Sequence, residues 1–416
     1  MKRLILALIA VTAVFVMAGS AYADDRLELY GHYYVRSYWM DGYRDSMWSP
    51  TYNEDDQADF IRQKFMIGLK ANIADDVYAN FRADFGEAIW GHDYNSGYTR
   101  GAVAIPGYGD GNDNQTQMNI ERAYVHIDKE NWSLTVGQQF LALGIMEVYD
   151  GNPTAAKLRL KFEPVDVSLI YAKHKEGDSF SNHGDEKDKD VYIIDFSHDA
   201  ETFSGDLFGV MLTDHSSNDE SPYGIGLNIR GALAGINFDT ELAYLGGETE
   251  DHDIDYEGLQ FYLGANKDVT DMINIGAEFL WADAADDDEE QLTNLGNWDD
   301  FAPDSSNTPV WTYVTNVNWA PFDPSGDSAG ALGGFICADF SIMEGLKAGT
   351  KIGYLEPDDD DMTVLDSIMS YNACVEYRIA TNTDISLSYF KSDPDYDDAS
   401  NDDSTNVFVG QLILNF

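Results

Sequence analysis

The mature chain has no run of the about 18 consecutive apolar residues that a spanning helix needs, so a helical membrane crossing is excluded. Bases are scarce: 25 Lys and Arg stand against 74 Asp and Glu, for a formal net charge of -49. A surface this negative repels phosphate, which excludes nucleic acid as a partner. Catalytic signatures are missing too. There is no G-x-S-x-G, no H-E-x-x-H, no glycine loop for phosphate and no C-x-x-C-H, and the eight His are scattered. The chain is therefore not expected to be an enzyme, and no catalytic residue or cofactor is expected.

What is present begins with an export address. Lys2 and Arg3 precede an apolar stretch from Leu4 to Val16, and Ala21-Tyr22-Ala23 offers a small-x-small cleavage site. Residues 1–23 are expected to be a signal peptide and 24–416 a single domain. No cysteine stands at the cleavage point, so a lipoprotein is not expected. Aromatic residues make up 13% of the chain, with 25 Tyr and 8 Trp. An acidic chain poor in aromatics would read as disordered; this one reads as strands with interfacial aromatic residues.

The organising pattern is period-2 alternation in blocks of spanning length. Ile61, Phe65, Ile67, Leu69, Ala71 and Ile73 alternate with Arg62, Lys64, Lys70 and Asn72. Val77, Ala79, Phe81, Ala83 and Phe85 alternate with Tyr78, Asn80, Arg82 and Asp84, and Ala156, Leu158, Leu160 and Phe162 with Lys157, Arg159 and Lys161. Short links near 74–76, 129–131, 199–200, 268–270, 343–345 and 380–382 are interleaved with long polar links. The long ones fall at 41–57, 89–115, 142–154, 175–188, 215–222, 248–254, 284–329, 357–366 and 393–404. Nine long links between hairpins predict an all-β, antiparallel, up-and-down transmembrane barrel of about 18 strands, with 16 as the alternative, long outer loops and short periplasmic turns. Val310–Trp319 alternates poorly and is assigned to a loop. Phe408, Gly410, Leu412, Leu414 and Phe416 should close on Leu27, Leu29, Gly31 and Tyr33, removing the sheet edge. The expected location is the outer membrane of a Gram-negative bacterium, among lipid and lipopolysaccharide.

With the apolar set facing lipid, the polar set faces the lumen. Arg62, Lys64, Lys70, Arg82, Arg122, Lys157, Arg159 and Lys161 then form a basic ladder, and Asp239, Glu241, Glu278, Asp339 and Glu376 an acidic wall. Residues 26–175 hold 15 of the 23 bases of the mature chain. A barrel of this size is too wide to be filled by its own side chains, so a water-filled bore is expected. Loops 89–115, 142–154 and 284–329 are the candidates for narrowing it. Cys337 and Cys374, on one face of two strands separated by a third, would sit roughly 10 Å apart, beyond disulfide reach. Both are expected to be free. A weak calcium-loop pattern, Asp110, Asn112, Asn114 and Glu121, has Gln115 where the sharp turn wants Gly; the general expectation is no metal, with calcium in the acidic loops as the minor alternative.

Arg26-Leu27-Glu28-Leu29-Tyr30-Gly31-His32-Tyr33-Tyr34-Val35-Arg36, the Arg62/Lys64 strand, Arg122-Ala123-Tyr124-Val125-His126-Ile127-Asp128, Gly137-Gln138-Gln139 and Leu143-Gly144 together resemble the alginate-export porin family. That resemblance implies an 18-stranded monomeric barrel with a basic, polyanion-conducting lumen. The functional expectation is passive diffusion of small hydrophilic solutes and ions, with anions favoured, by a monomer or homotrimer. The alternative is a structural barrel, a sheath for a partner protein or an adhesin displaying acidic loops.

Overall fold

The computed structural model describes residues 26–41, 57–89, 119–145, 148–175, 188–200, 202–214, 221–249, 254–284, 289–290, 330–359, 365–396 and 404–416. Every regular element among them is a strand. In chain order these are β1 (Leu27–Asp41), β2 (Gln57–Ala74), β3 (Val77–Ile89), β4 (Asn119–Asp128), β5 (Trp132–Gln138), β6 (Leu141–Leu143), β7 (Tyr149–Gly151), β8 (Thr154–Phe162), β9 (Val165–Lys175), β10 (Lys189–Asp199) and β11 (Phe203–Asp214). They continue with β12 (Tyr223–Leu233), β13 (Ile236–Thr249), β14 (Ile254–Thr270), β15 (Ile273–Ala282), β16 (Glu289–Glu290), β17 (Ala331–Met343), β18 (Leu346–Glu356), β19 (Leu365–Ala380), β20 (Thr383–Tyr396) and β21 (Thr405–Asn415).

Eighteen of them pair antiparallel, each with its neighbours, in one closed ring. β6 and β7 form a separate hairpin, and β16 is a two-residue parallel bridge to β14. β15 pairs directly with β17, so the ring closes at eighteen without Val310–Trp319, which lies outside the described residues. The seam joins β1 to β21 from His32↔Asn415 to Asp41↔Asn406, and Gly31 and Phe416 exchange both backbone hydrogen bonds. Leu27 and Leu29, expected at the seam, extend past it and pair only with β2. That offset is the stagger a tilted barrel requires.

The alternation sorts side chains as the sequence predicts. On β12, Ile225 is 53% exposed and Leu227 45%, while Gly224, Gly226 and Asn228 between them are buried. In lipid the exposed apolar set is the favourable surface, and the closed ladder pairs the strands' backbone within the ring, as a membrane barrel requires. Short turns lie at 75–76, 129–131, 163–164, 200–202, 234–235, 271–272, 344–345 and 381–382. The Ala234-Gly235 and Glu163-Pro164 turns were not anticipated. The turn expected at 268–270 falls two residues later, because β14 runs on to Thr270. β20 likewise continues to Tyr396, inside the link expected at 393–404.

At the long-loop end of the outer face, aromatic donors meet acids and amides. Tyr171 donates to Asp190 at 2.9 Å, Tyr244 to Glu257 at 3.2 Å, Trp281 to Asp358 at 2.9 Å, Tyr354 to Glu356 at 3.0 Å and Tyr389 to Asn406 at 2.8 Å. Trp132, Phe162, Phe203, Phe340 and Tyr377 ring the short-turn end. Two aromatic belts bracketing an apolar band are the signature of a membrane barrel.

Candidate functional site: the lumen and its inward loop

The segment between β5 and β8 folds into the barrel. β5 ends beside Gly137, whose φ of +128° few other residues adopt and where a Cβ would strike Ala123 O at 2.2 Å. The root is closed by Gln139, whose backbone N–H donates to Pro153 O and whose side-chain amide donates to Ala155 O at 3.1 Å. β6 and β7 pair Leu141↔Gly151 and Leu143↔Tyr149, and Gly144 turns the tip at a φ of +83°. Leu141, Val148 and Tyr149 are buried against Ala155, Ile170, Ala172, Val191, Ile193, Phe208, Val210, Leu212, Ala243 and Leu245 of the wall. Ile145 joins a second cluster with Tyr262, Leu280 and Phe335. At about 1.5–3 kcal/mol per buried large apolar side chain, four such residues hold the loop firmly. Its tip is pinned as well: Ile145 N–H donates to Glu241. Of the three loops considered for this role, 142–154 is the one described inside the barrel.

The ladder residues are brought onto β2, β3 and β4, which adjoin, and onto β8 beyond β5, but most meet a carboxylate there. Lys64 lies 2.6 Å from Asp84 and 3.9 Å from Glu121, and Arg82 contacts Glu121 at 2.5 Å. Lys70 is 3.9 Å from Glu28 and sits over the Tyr78 ring at 4.8 Å. Arg159 pairs with Asp166 and Lys161 with Asp128, each at 2.5 Å. Arg122 and Lys157 have no ion pair among the described residues. The backbone of Arg62 lies in β2, opposite Arg36.

Acidic-wall residues occupy the far side. β15, which carries Glu278, lies nine staves from β4 in a ring of eighteen, diametrically across the bore. Asp239, Glu278, Asp339 and Glu376 line a recess of about 450 Å³ with Cys337 and Cys374. Glu278 is tied to Lys351 at 2.5 Å, Asp239 lies 3.6 Å from Arg230, and Glu241 is buried beneath the loop tip. Both cysteines are free, on β17 and β19 with β18 between. A second recess of about 550 Å³ beside the short turns is lined by Lys157, Arg159, Asp166, Asp195 and Asp206.

Of the calcium-loop residues, Glu121 lies in β4 with its carboxylate beside Lys64 and Arg82. Asp110, Asn112 and Asn114 lie outside the described residues. Among the described residues, the lumen cations that the ladder leaves out include Arg230 and Lys347 of the acidic recess, and Arg36 and Lys351. Arg36, 1% exposed, donates Nε–H to Gln411 and stacks its guanidinium 3.9 Å over Tyr34. Lys351 is buried beside Glu278. The alternation that produced the ladder places Arg36 and Lys351 on the inner face, since Arg36 follows Tyr30, His32 and Tyr34 in step. Their acidic partners were less legible, because register, not spacing, brings Asp166 beside Lys161 and Arg159.

A closed barrel of eighteen staves with a polar interior narrowed by an inward loop defines an outer-membrane channel. The chain belongs to the Gram-negative porin family, which it matches over residues 7–411, and it forms an outer-membrane channel for small solutes. Among solved structures it is similar to OccAB4 of Acinetobacter baumannii, at 12% identity and a TM-score of 0.59, covering 94% of this chain and 98% of that one. It is also similar to OpdK of Pseudomonas aeruginosa, solved with vanillate, at 8% identity and a TM-score of 0.57, covering 94% and 99%. An anion-selective porin from Comamonas acidovorans matches at 10% identity and a TM-score of 0.50, again covering 94% and 99%. At such identities the likeness is one of fold. No curated protein matches at the sequence level.

Proposed function

We propose that the channel passes small hydrophilic solutes by passive diffusion, without a cofactor, and favours anions. The observation that carries the reading is where the inward loop lies. It lies against β8 to β13, reaches β14, β15 and β17 through Ile145, and covers Glu241. The remaining passage then runs along the staves that carry Arg62, Lys64, Lys70, Arg82, Arg122, Lys157, Arg159 and Lys161 as pore-lining bases. Across it, Asp239, Glu278, Asp339 and Glu376 give the lumen a transverse field that steers ions. Glu278 contributes least to that field, being tied to Lys351. An anion-selective porin among the structural neighbours agrees with this sign.

In this reading residues 1–23 are a cleaved export signal and 24–416 the channel. The ring closes within one chain, so each protomer conducts whether the protein is a monomer or a homotrimer. The narrower polyuronate-export reading rests on residues 26–144 alone. It is weakened by Gln138, which stands where that family carries Arg and donates its amide to Ile120 O. The reversal potential of the purified protein in a planar bilayer under a KCl gradient tests the anion preference. Chloride preference is expected; a clear potassium preference would overturn it.

A further inference from the structure

We propose that Arg122 is the selectivity-determining cation of this channel, the point where a passing anion is held. The inference rests on the anion preference above and narrows it from a wall to one guanidinium. Lys64, Lys70, Arg82, Arg159 and Lys161 each face a carboxylate at 3.9 Å or less. Such a pair is a dipole, and beyond its own length it offers a passing ion little net charge. Lys157 has no carboxylate that close, but Asp195 and Asp206 line the recess it occupies. Among the described residues Arg122 has neither kind of compensation: it forms no ion pair, and its Nε is sealed from water with no hydrogen-bond acceptor. Beside it Lys64 and Arg82 engage Asp84 and Glu121, so among the described side chains three cations stand with two carboxylates. The surplus positive charge of that cluster resides on Arg122.

Its place in the fold suits the role. Arg122 lies across from Arg82 in the β3–β4 register. Its neighbour Ala123 pairs with Gln138, the last residue before the chain turns into the lumen. An anion entering the part of the bore narrowed by the loop therefore passes this side chain. A guanidinium presents a planar fork of N–H donors that matches an oxyanion, carboxylate or phosphate, and it stays charged at any relevant pH. Chloride, held by charge alone, is the simplest probe of the site.

The test is the chloride-to-potassium permeability ratio of the full barrel in planar bilayers under a KCl gradient. Arg122→Gln should lower it about threefold to tenfold, since one unit charge across roughly 6 Å of water is worth about a factor of three on each ion, with opposite sign on the two. Arg122→Lys should keep most of it. Removing a neutral pair outside the ladder whole, as Arg378→Gln with Asp384→Asn, 2.9 Å apart, should leave the ratio near that of the parent. The step conductance of each variant shows that it has assembled. An anion-selective parent whose ratio survives Arg122→Gln, or falls as far when a neutral pair is removed, would overturn this assignment and leave the anion preference standing. A parent without anion preference would overturn both.

Discussion

The backbone N–H of Ile145 donates to the carboxylate of Glu241, joining the tip of the inward loop to a strand six staves from the one it left. Glu241 is 1% exposed, so this is a charge-assisted bond screened from water, in the class worth about 1.5–3 kcal/mol. A residue that sequence alone places on an acidic pore wall is instead part of what shapes the pore.

Replacing Glu241 should therefore alter the bore before it alters the barrel. Glu241→Ala removes the acceptor and leaves the apolar seat of Leu141, Val148 and Tyr149 in place. Single-channel records should show a higher and noisier open current. Glu241→Gln retains an oxygen acceptor and should behave much like the parent. An unchanged current in the alanine variant would mean that the apolar contacts hold the loop without the pin.

A second prediction concerns the wall beneath the loop. The Phe208 ring lies flat on Gly226 of the neighbouring strand, and a Cβ there would stand 2.2 Å from a ring carbon. Phe208 is 1% exposed and backs the cluster that seats the loop, so it has little room to move. Gly226→Ala should cost about 1–3 kcal/mol by overpacking. The readout is a lower temperature at which the folded barrel loses its resistance to SDS. Gly410→Ala is the control, since a Cβ there meets nothing within 4 Å and should change nothing.

How much of this was legible from sequence depends on what alternation can carry. Ile225 and Leu227 outside, with Asn228 inside, follow from period 2, as do the long connections and six of the eight short ones. The identity of the inward loop does not follow, because long links look alike when judged by length. A usable signal was present in composition. The link from Leu141 to Tyr149 carries Leu141, Leu143, Ile145, Val148 and Tyr149, too apolar for a solvated outer loop. The strands facing it break alternation: Val191 and Ile193 point inward while Tyr192 and Ile194 point outward. Strands apolar on both faces require something apolar inside. Pairing within the ladder was hidden for another reason. Lys161 meets Asp128 across two strand boundaries, and only the register of β4, β5 and β8 brings them together.

The cysteines give a prediction that needs no mutation. Cys337 and Cys374 are both free, and the intervening β18 keeps them apart. Thiol titration in denaturant should find two reactive groups, and reducing agent should leave the SDS-resistance temperature unchanged. In the folded barrel a small charged methanethiosulfonate should modify Cys337 faster, because it is the more exposed of the two. Faster modification of Cys374 would contradict the arrangement of the recess they share.

Lys351 and Glu278 form a sealed ion pair in the lumen wall, with side chains 2% and 6% exposed and 2.5 Å between Nζ and Oε2. The ammonium also sits 4.4 Å over the Phe335 ring. A buried pair gains little over an apolar substitute, but breaking it strands a charge in a poor solvent. Lys351→Met alone should therefore cost about 3–5 kcal/mol. Adding Glu278→Gln should recover much of that loss, because the amide carries no charge to desolvate. Added salt should not mimic the single variant, since a sealed pair is screened far less than an outer one such as Lys391 with Asp393. A double-variant cycle on SDS-resistance temperatures measures the coupling directly. Additive losses would show that the two groups stabilise the wall independently, Lys351 through Phe335 and Glu278 through its own surroundings.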